Sequence, residues 1–241
     1  MLSGGKALKQ AFRSYAIVAI VTALVVYLPV AWFQQHLAPL LLALFLLWTA
    51  LHFAVDNKDN LARHGLSLGG FFESSSSEKS TVSALLHTLP AAFKSLALAA
   101  LTALIVFPPF IVAYLWWWKP DGAFHWQWPA GLLSYALNQL FVVALPEEAF
   151  FRGYLQTRLA DGFRTQRKVF GVSLSLPAWL MQAALFALLH FLAPPHPSRF
   201  AVFFPALVFG WLRRKEQSIG ASVWFHAMSN ILSFTLARGF A

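Results

Sequence analysis

Long apolar runs separated by short polar stretches set the pattern of the chain. Runs over residues 15–33, 37–55, 96–117, 131–154, 176–192, 200–212 and 221–237 are almost free of charge. About 30 Å of hydrocarbon takes roughly 20 helical residues to cross, so each run predicts a transmembrane helix. The fold class expected is all-α: a polytopic integral membrane bundle of about seven helices. Residues 81–95 place Leu85, Leu86, Leu89 and Phe93 among His87, Lys94 and a central Pro90, which predicts an interfacial helix or the start of the third span. Residues 56–80 include ESSSSEKS, too polar to bury an apolar face, and predict a flexible connector.

Composition agrees with a bilayer setting. Of the 241 residues 59% are hydrophobic and 11% charged, with a mean hydropathy of +0.61. The net charge of +9 does not point to nucleic acid, because no basic stripe alternates with aromatics and the lysines and arginines cluster between apolar runs. With seven crossings and a cytoplasmic N-terminus, inner loops hold Lys6, Lys9, Arg13, Lys58, Arg63, Lys79, Arg158, Arg164, Arg167, Lys168, Arg213, Arg214 and Lys215. The outer side keeps Lys119, Arg199 and Arg238, which fits the positive-inside bias. The outer loop WWWKPDGAFHWQW carries the tryptophans expected at headgroup level. The first run is too long for a signal-peptide core and lacks a small-residue cleavage pattern, so it reads as a retained anchor. The absence of cysteine excludes disulfides, thiol nucleophiles and cysteine-bound metal. No internal repeat or heptad array is present.

Ionisable side chains at membrane depth are costly and mark function. Glu148 and Arg152 stand four apart on one helical face and are expected to pair, while Glu147 is turned about 100° away and stays free. Pro146 is expected to kink this helix and free the carbonyl near Val142, opening a water-accessible pocket. His190 lies four residues after Phe186 on the fifth run, and His226 and Asn230 share a face of the seventh. Taken singly, each is an ordinary interhelical hydrogen-bonding residue. Together, a free carboxylate, two imidazoles and an amide supply a general base, a proton shuttle and hydrogen-bond donors, the parts needed to add water to a carbonyl.

In their order, Glu147-Glu148-x-x-x-Arg152, Phe186-x-x-x-His190 and His226-x-x-x-Asn230 resemble the three motifs of the CPBP family, also called Abi, of CAAX-processing and bacteriocin-processing intramembrane proteases. The resemblance covers about residues 131–236 and divides the chain into N-terminal helices with a linker (1–130) and a catalytic core (131–241). It implies a multi-pass protein of a bacterial plasma membrane and a glutamate-dependent endopeptidase. Glu147 and His190 would deprotonate a water, and His226 and Asn230 would stabilise the oxyanion, with Glu148, Arg152 and Phe186 in support. It implies a membrane-anchored protein or peptide as partner: a prenylated CAAX-like tail, a leader peptide or a C-terminal sorting signal. No cofactor is expected. In the alternative, zinc would be held by Glu147, Glu148, His190 and His226, although HExxH is absent and Arg152 opposes a dication. His36, His52, His64, His87, His125 and His196 are assigned to loops or interfaces.

Two further functions use the same residues: a transporter or ion relay, disfavoured by the lack of paired halves, and a non-catalytic immunity or scaffold protein, disfavoured by the complete motif set. One geometric demand follows. His190 lies near the far end of its run and His226 near the start of its own, a dozen ångströms apart in depth at about 1.5 Å per residue. The run at 200–212 is too short to cross, so the fifth and sixth runs are expected to form a hairpin with APPHPSR sunk in protein, opening toward the cytoplasmic half.

Overall fold

The computed structural model describes residues 3–54, 58–66, 81–128, 131–193 and 195–240. The Ser-rich part of the expected connector, 67–80, lies outside them. Helices α1 (Gly4–Val26), α2 (Ala31–His36), α3 (Ala38–Ala54), α4 (Lys58–Arg63) and α5 (Thr81–Trp118) precede a helical run spanning 132–163. That run joins α6 (Leu132–Asn138), α7 (Leu145–Glu148) and α8 (Gln156–Phe163) through π-helical stretches at Gln139–Ala144 and Ala149–Leu155. A hairpin of β1 (Arg167–Val169) and β2 (Val172–Leu174) leads into α9 (Leu176–Phe191), a 3₁₀ turn (Pro197–Val202), α10 (Phe203–Glu216) and α11 (Gly220–Gly239).

The helical architecture is as expected, and the spans are divided differently. Helix α1 and residues 88–118 of α5 are each long and apolar enough to cross a membrane, whereas α3 and α9 are apolar but only 17 and 16 residues long. The count of seven is not reproduced by helix length. Helix α1 starts eleven residues before the apolar run because Lys6, Lys9 and Arg13 sit on exposed positions and interrupt nothing. It stops at Val26, before Pro29, whose ring disfavours helical backbone at the residue preceding it. Residues 81–95 are continuous with α5 rather than a separate interfacial helix. The hairpin was not foreseen. Phe170 and Gly171 both adopt positive φ (46° and 77°), as a type I′ turn requires, and the Phe-Gly pair gave no such signal.

Small residues set the packing. On α1, Ala7, Ala11, Ser14 and Val18 recur every three or four positions and face the bundle. A Cβ on Gly162 of α8 would lie 2.4 Å from the Leu8 side chain, so α1 and α8 approach as closely as glycine permits. The Tyr15 hydroxyl donates to the Leu185 carbonyl (2.9 Å), tying α1 to α9. Helix α3 lies along the second π stretch, α11 packs on α5, and α10 packs on both α9 and α11. The tip between α9 and α10, expected to be sunk in protein, is largely exposed at residues 195–199. The outer face of α5 stays apolar and open, with Leu104 and Ile105 among its exposed side chains.

Residues 64–66 behind the central helix are ordered by close contact. A Cβ on Gly153 would meet Leu66 at 2.8 Å. The Ile219 N–H donates to the Gly65 carbonyl (3.1 Å) and Arg213 to the Arg63 carbonyl (2.8 Å), clamping these residues to α10 and α11. His64 is fully buried, stacks near Tyr154 and hydrogen-bonds the Asn60 carbonyl through Nδ1 (2.6 Å). Burial, seconded by Arg158, Arg63 and Arg213 against that carbonyl, lowers its pKa from 6.5 to about 4. Between these values the unfolded chain takes up a proton that the folded one refuses, so stability falls as pH drops through that window. The expected loss reaches about 3 kcal/mol near pH 4 at 1.36 kcal/mol per unit. Thermal unfolding across this range should show a flatter profile for His64→Gln than for the parent.

Candidate active site

The three motif-bearing segments meet at one place. Pro146 lacks an N–H and its ring crowds the carbonyl four residues back, and the helix meets this by widening to π geometry just before it, at Gln139–Ala144, instead of breaking. A second π stretch, Ala149–Leu155, follows the glutamates. Such wide turns concentrate at functional sites and re-aim the side chains around them. Here they flank Glu147 and Glu148 on both sides.

Glu148 and Arg152 pair as expected, with Arg152 Nη1 3.1 Å from Glu148 Oε1 and both side chains fully buried. The contact lacks hydrogen-bond alignment, and all three guanidinium nitrogens are without a hydrogen-bond partner. The aromatic rings of Phe186 and Phe209 compensate, lying 4.1 and 4.8 Å from the guanidinium carbon and offering π faces to the cation. Glu148 has a second partner not foreseen from sequence: its Oε1 accepts from His226 Nδ1 at 2.9 Å. An acceptor there makes Nδ1 the donor and turns Nε2 outward. The His226 ring is further fixed by stacking on Phe209 (4.7 Å, 14°).

Glu147 takes the other side of the helix. Its Oε2 lies 3.8 Å from His226 Nε2 and 3.9 Å from His190 Nε2. His190 Nδ1 hydrogen-bonds the Phe186 carbonyl (3.0 Å), which aims its Nε2 at Glu147 in the same manner. The depth mismatch between the two histidines is therefore resolved, through the short α9 and α10 and the 3₁₀ turn between them. Glu147 and His190 keep about a fifth of their side-chain surface exposed, while His226 is nearly closed off. One carboxylate oxygen and two imidazole nitrogens thus face a common point at distances too long for direct hydrogen bonds. The Glu147 oxygen is buried there with no hydrogen-bond partner. A water at that point can donate one proton to Glu147 Oε2 and the other to His190 Nε2, and can accept from His226 Nε2 when that ring is doubly protonated.

Asn230 sits one turn beyond His226, and its amide donates to Gln139 Oε1 (2.8 Å) rather than to Glu147 or His190. Gln139 and Phe209 were not among the candidates. Gln139 stands next to Asn138 in an apolar run with nothing local to single it out, and Phe209 is one of many phenylalanines. Phe186, expected only in support, offers its carbonyl to His190 Nδ1 and its ring to His190 (4.3 Å) and Phe151 (4.9 Å). Among the described residues, no group of three or more His, Asp or Glu side chains stands in a metal-holding arrangement. Glu148 is already engaged by Arg152 and His226, and the Arg152 cation stands where a dication would be repelled.

Removing one member of the buried pair leaves an uncompensated charge, which costs about 3–5 kcal/mol. Arg152→Met is expected to lower the thermal unfolding midpoint accordingly, and adding Glu148→Gln to it to recover part of the loss.

The curated proteins and the solved structures searched contain no match to the chain. Residues 128–232 match the family model described as Type II CAAX prenyl endopeptidase Rce1-like. That model takes in Glu147, Glu148, Arg152, Phe186, His190, His226 and Asn230 together, and it describes the same CAAX-processing family that the three motifs resemble.

Proposed function

We propose that the chain is a CAAX-type intramembrane endopeptidase, hydrolysing a peptide bond of a membrane-tethered substrate with a water activated by Glu147 and His190. The observation that carries this reading is the convergence of Glu147 Oε2 with His190 Nε2 and His226 Nε2 at 3.9 and 3.8 Å, an opening matched to one water molecule. Glu147 takes the proton as the water attacks the scissile carbonyl, and His190 holds the water through its lone pair and relays the proton toward the departing amine. His226, when doubly protonated, donates from Nε2 to the oxyanion while Glu148 holds Nδ1 and supplies the counter-charge. Asn230, anchored by Gln139, is the second donor. Arg152 keeps Glu148 in place and touches no reacting atom. No step passes through a metal ion.

The substrate class that fits the matched family's description is a prenylated C-terminal tail; leader peptides and sorting signals are less favoured by it. The same reading takes the chain as multi-pass with a cytoplasmic N-terminus. The short α9 and α10 then pack as a hairpin inside seven apolar segments, and the cavity opens toward the basic cytoplasmic side.

The test is hydrolysis of a prenylated peptide by the full chain in nanodiscs. Glu147→Ala and His190→Ala should abolish turnover, and Asn230→Ala should lower it by about 10²- to 10³-fold, the usual loss for one oxyanion donor. Chelators should leave the rate unchanged. Loss of activity on chelation and its return with zinc would overturn the water-only mechanism, and proton-coupled solute flux without hydrolysis would overturn the protease.

A further inference from the structure

Glu148, Arg152, Gln156 and Ala160 follow one another every four residues along the central helix, a single stripe running away from the two glutamates. The stripe leads into a cavity of about 200 Å³ walled by Arg63, Arg152, Gln156, Asp161, Gln166 and Arg214. Arginines dominate its charge. Asp161 answers Arg63, which it touches, and also faces Arg158 at 4.0 Å. Arg214 has no carboxylate partner among the described residues and reaches only the Ser173 carbonyl, at 3.3 and 3.4 Å. Arg152 is fully buried and Gln156 nearly so, yet the Arg152 nitrogens and Gln156 Oε1 have no hydrogen-bond partner. Buried groups left in that state carry a desolvation cost. A ligand offering a carboxylate to the arginines and an N–H to Gln156 removes the cost, and a guanidinium fork matches a carboxylate in shape.

The spacing identifies which carboxylate. Arg152 and Gln156 lie five and nine residues along the helix from Glu147, at most about 7 and 13 Å at the α-helical 1.5 Å per residue, because the π-helical stretch between them rises less per residue. A CAAX tail carries its free carboxylate three residues beyond the cysteine, and three extended residues reach about 10 Å. We propose that this cavity is the subsite for the substrate's C-terminal carboxylate, with Arg214 and Arg152 as its cationic walls and Gln156 receiving a peptide N–H, while the cysteine carbonyl faces Glu147. Arg214 is then a specificity-determining residue: it selects for a free chain end at a fixed distance from the bond that is cut. The inference rests on the proteolytic reading for its substrate, and on the cavity alone for its preference for an anion.

Calorimetric binding to the full chain in nanodiscs separates the two. The probes are an aliphatic tripeptide with a free carboxylate, the same tripeptide with a C-terminal amide, and inorganic phosphate. The acid should bind at least about tenfold more tightly than the amide, the ratio expected for one charge-assisted hydrogen bond. Arg214→Gln should erase that ratio by weakening the acid alone, and Arg214→Lys should restore most of it. Equal binding of acid and amide, no binding of either, or a ratio that survives Arg214→Gln overturns the proposal. Tight phosphate binding without preference for the acid assigns the cavity to free anions and also overturns it. An intact acid preference in a protein that hydrolyses no prenylated peptide would overturn the proteolytic reading and leave the anion subsite standing.

Discussion

Everything at the centre of the bundle is arranged around a carboxylate withdrawn from solvent. Glu148 has no exposed surface, and it is tolerated there because Arg152 lies 3.1 Å away and His226 Nδ1 2.9 Å away. Those contacts hold together two elements distant in the chain: the central helical run, which carries both Glu148 and Arg152, and α11, which carries His226. An unpaired charge at this depth would be prohibitive, so the cost of separating the elements is high and their geometry is narrow. The adjacent glutamate inherits that geometry. With Glu148 pinned, helical rotation presents Glu147 to the opposite side, where two imidazoles have each been aimed by the partner on their Nδ1.

The surroundings keep this arrangement from relaxing. Phe186 and Phe209, set edge to face, both flank the Arg152 cation, and Phe209 also stacks on His226, so one aromatic side chain supports both ends of the ionic network. Gly153 admits the backbone of His64 and the side chain of Leu66 against the back of the same helix. The two π stretches are the local distortion through which the helix accommodates Pro146 and the crowding around it. Away from the centre the demands are looser. Helix α5 contributes a face to α11 and leaves its other side apolar, as a lipid-facing helix requires.

The charged and polar residues that meet at the candidate site were more legible in the sequence than the boundaries of the helices. Charge in an apolar run is conspicuous, so Glu147, Glu148, Arg152, His190 and His226 stood out without any structure, and the i, i+4 rule placed Glu148 with Arg152 and left Glu147 free. Hydropathy says how apolar a segment is and not where its backbone hydrogen bonds stop. Thus α1 runs through Lys6, Lys9 and Arg13, while the run at 200–212 divides into a 3₁₀ turn and α10. Gln139 and Phe209 could not be picked out because their roles depend on helices packed against them from elsewhere in the chain. The second partner of Glu148 belongs to the same class: a contact between residues 78 positions apart leaves no local trace.

The central claim is that Glu147, His190 and His226 share one water. A density map of the protein in nanodiscs, at a resolution that shows ordered solvent, tests it most directly. The account predicts a single water within hydrogen-bond distance of Glu147 Oε2 and of Nε2 of both histidines. A Glu147 carboxylate turned away from the histidines, or a coordinated cation at that point in place of the water, would contradict it.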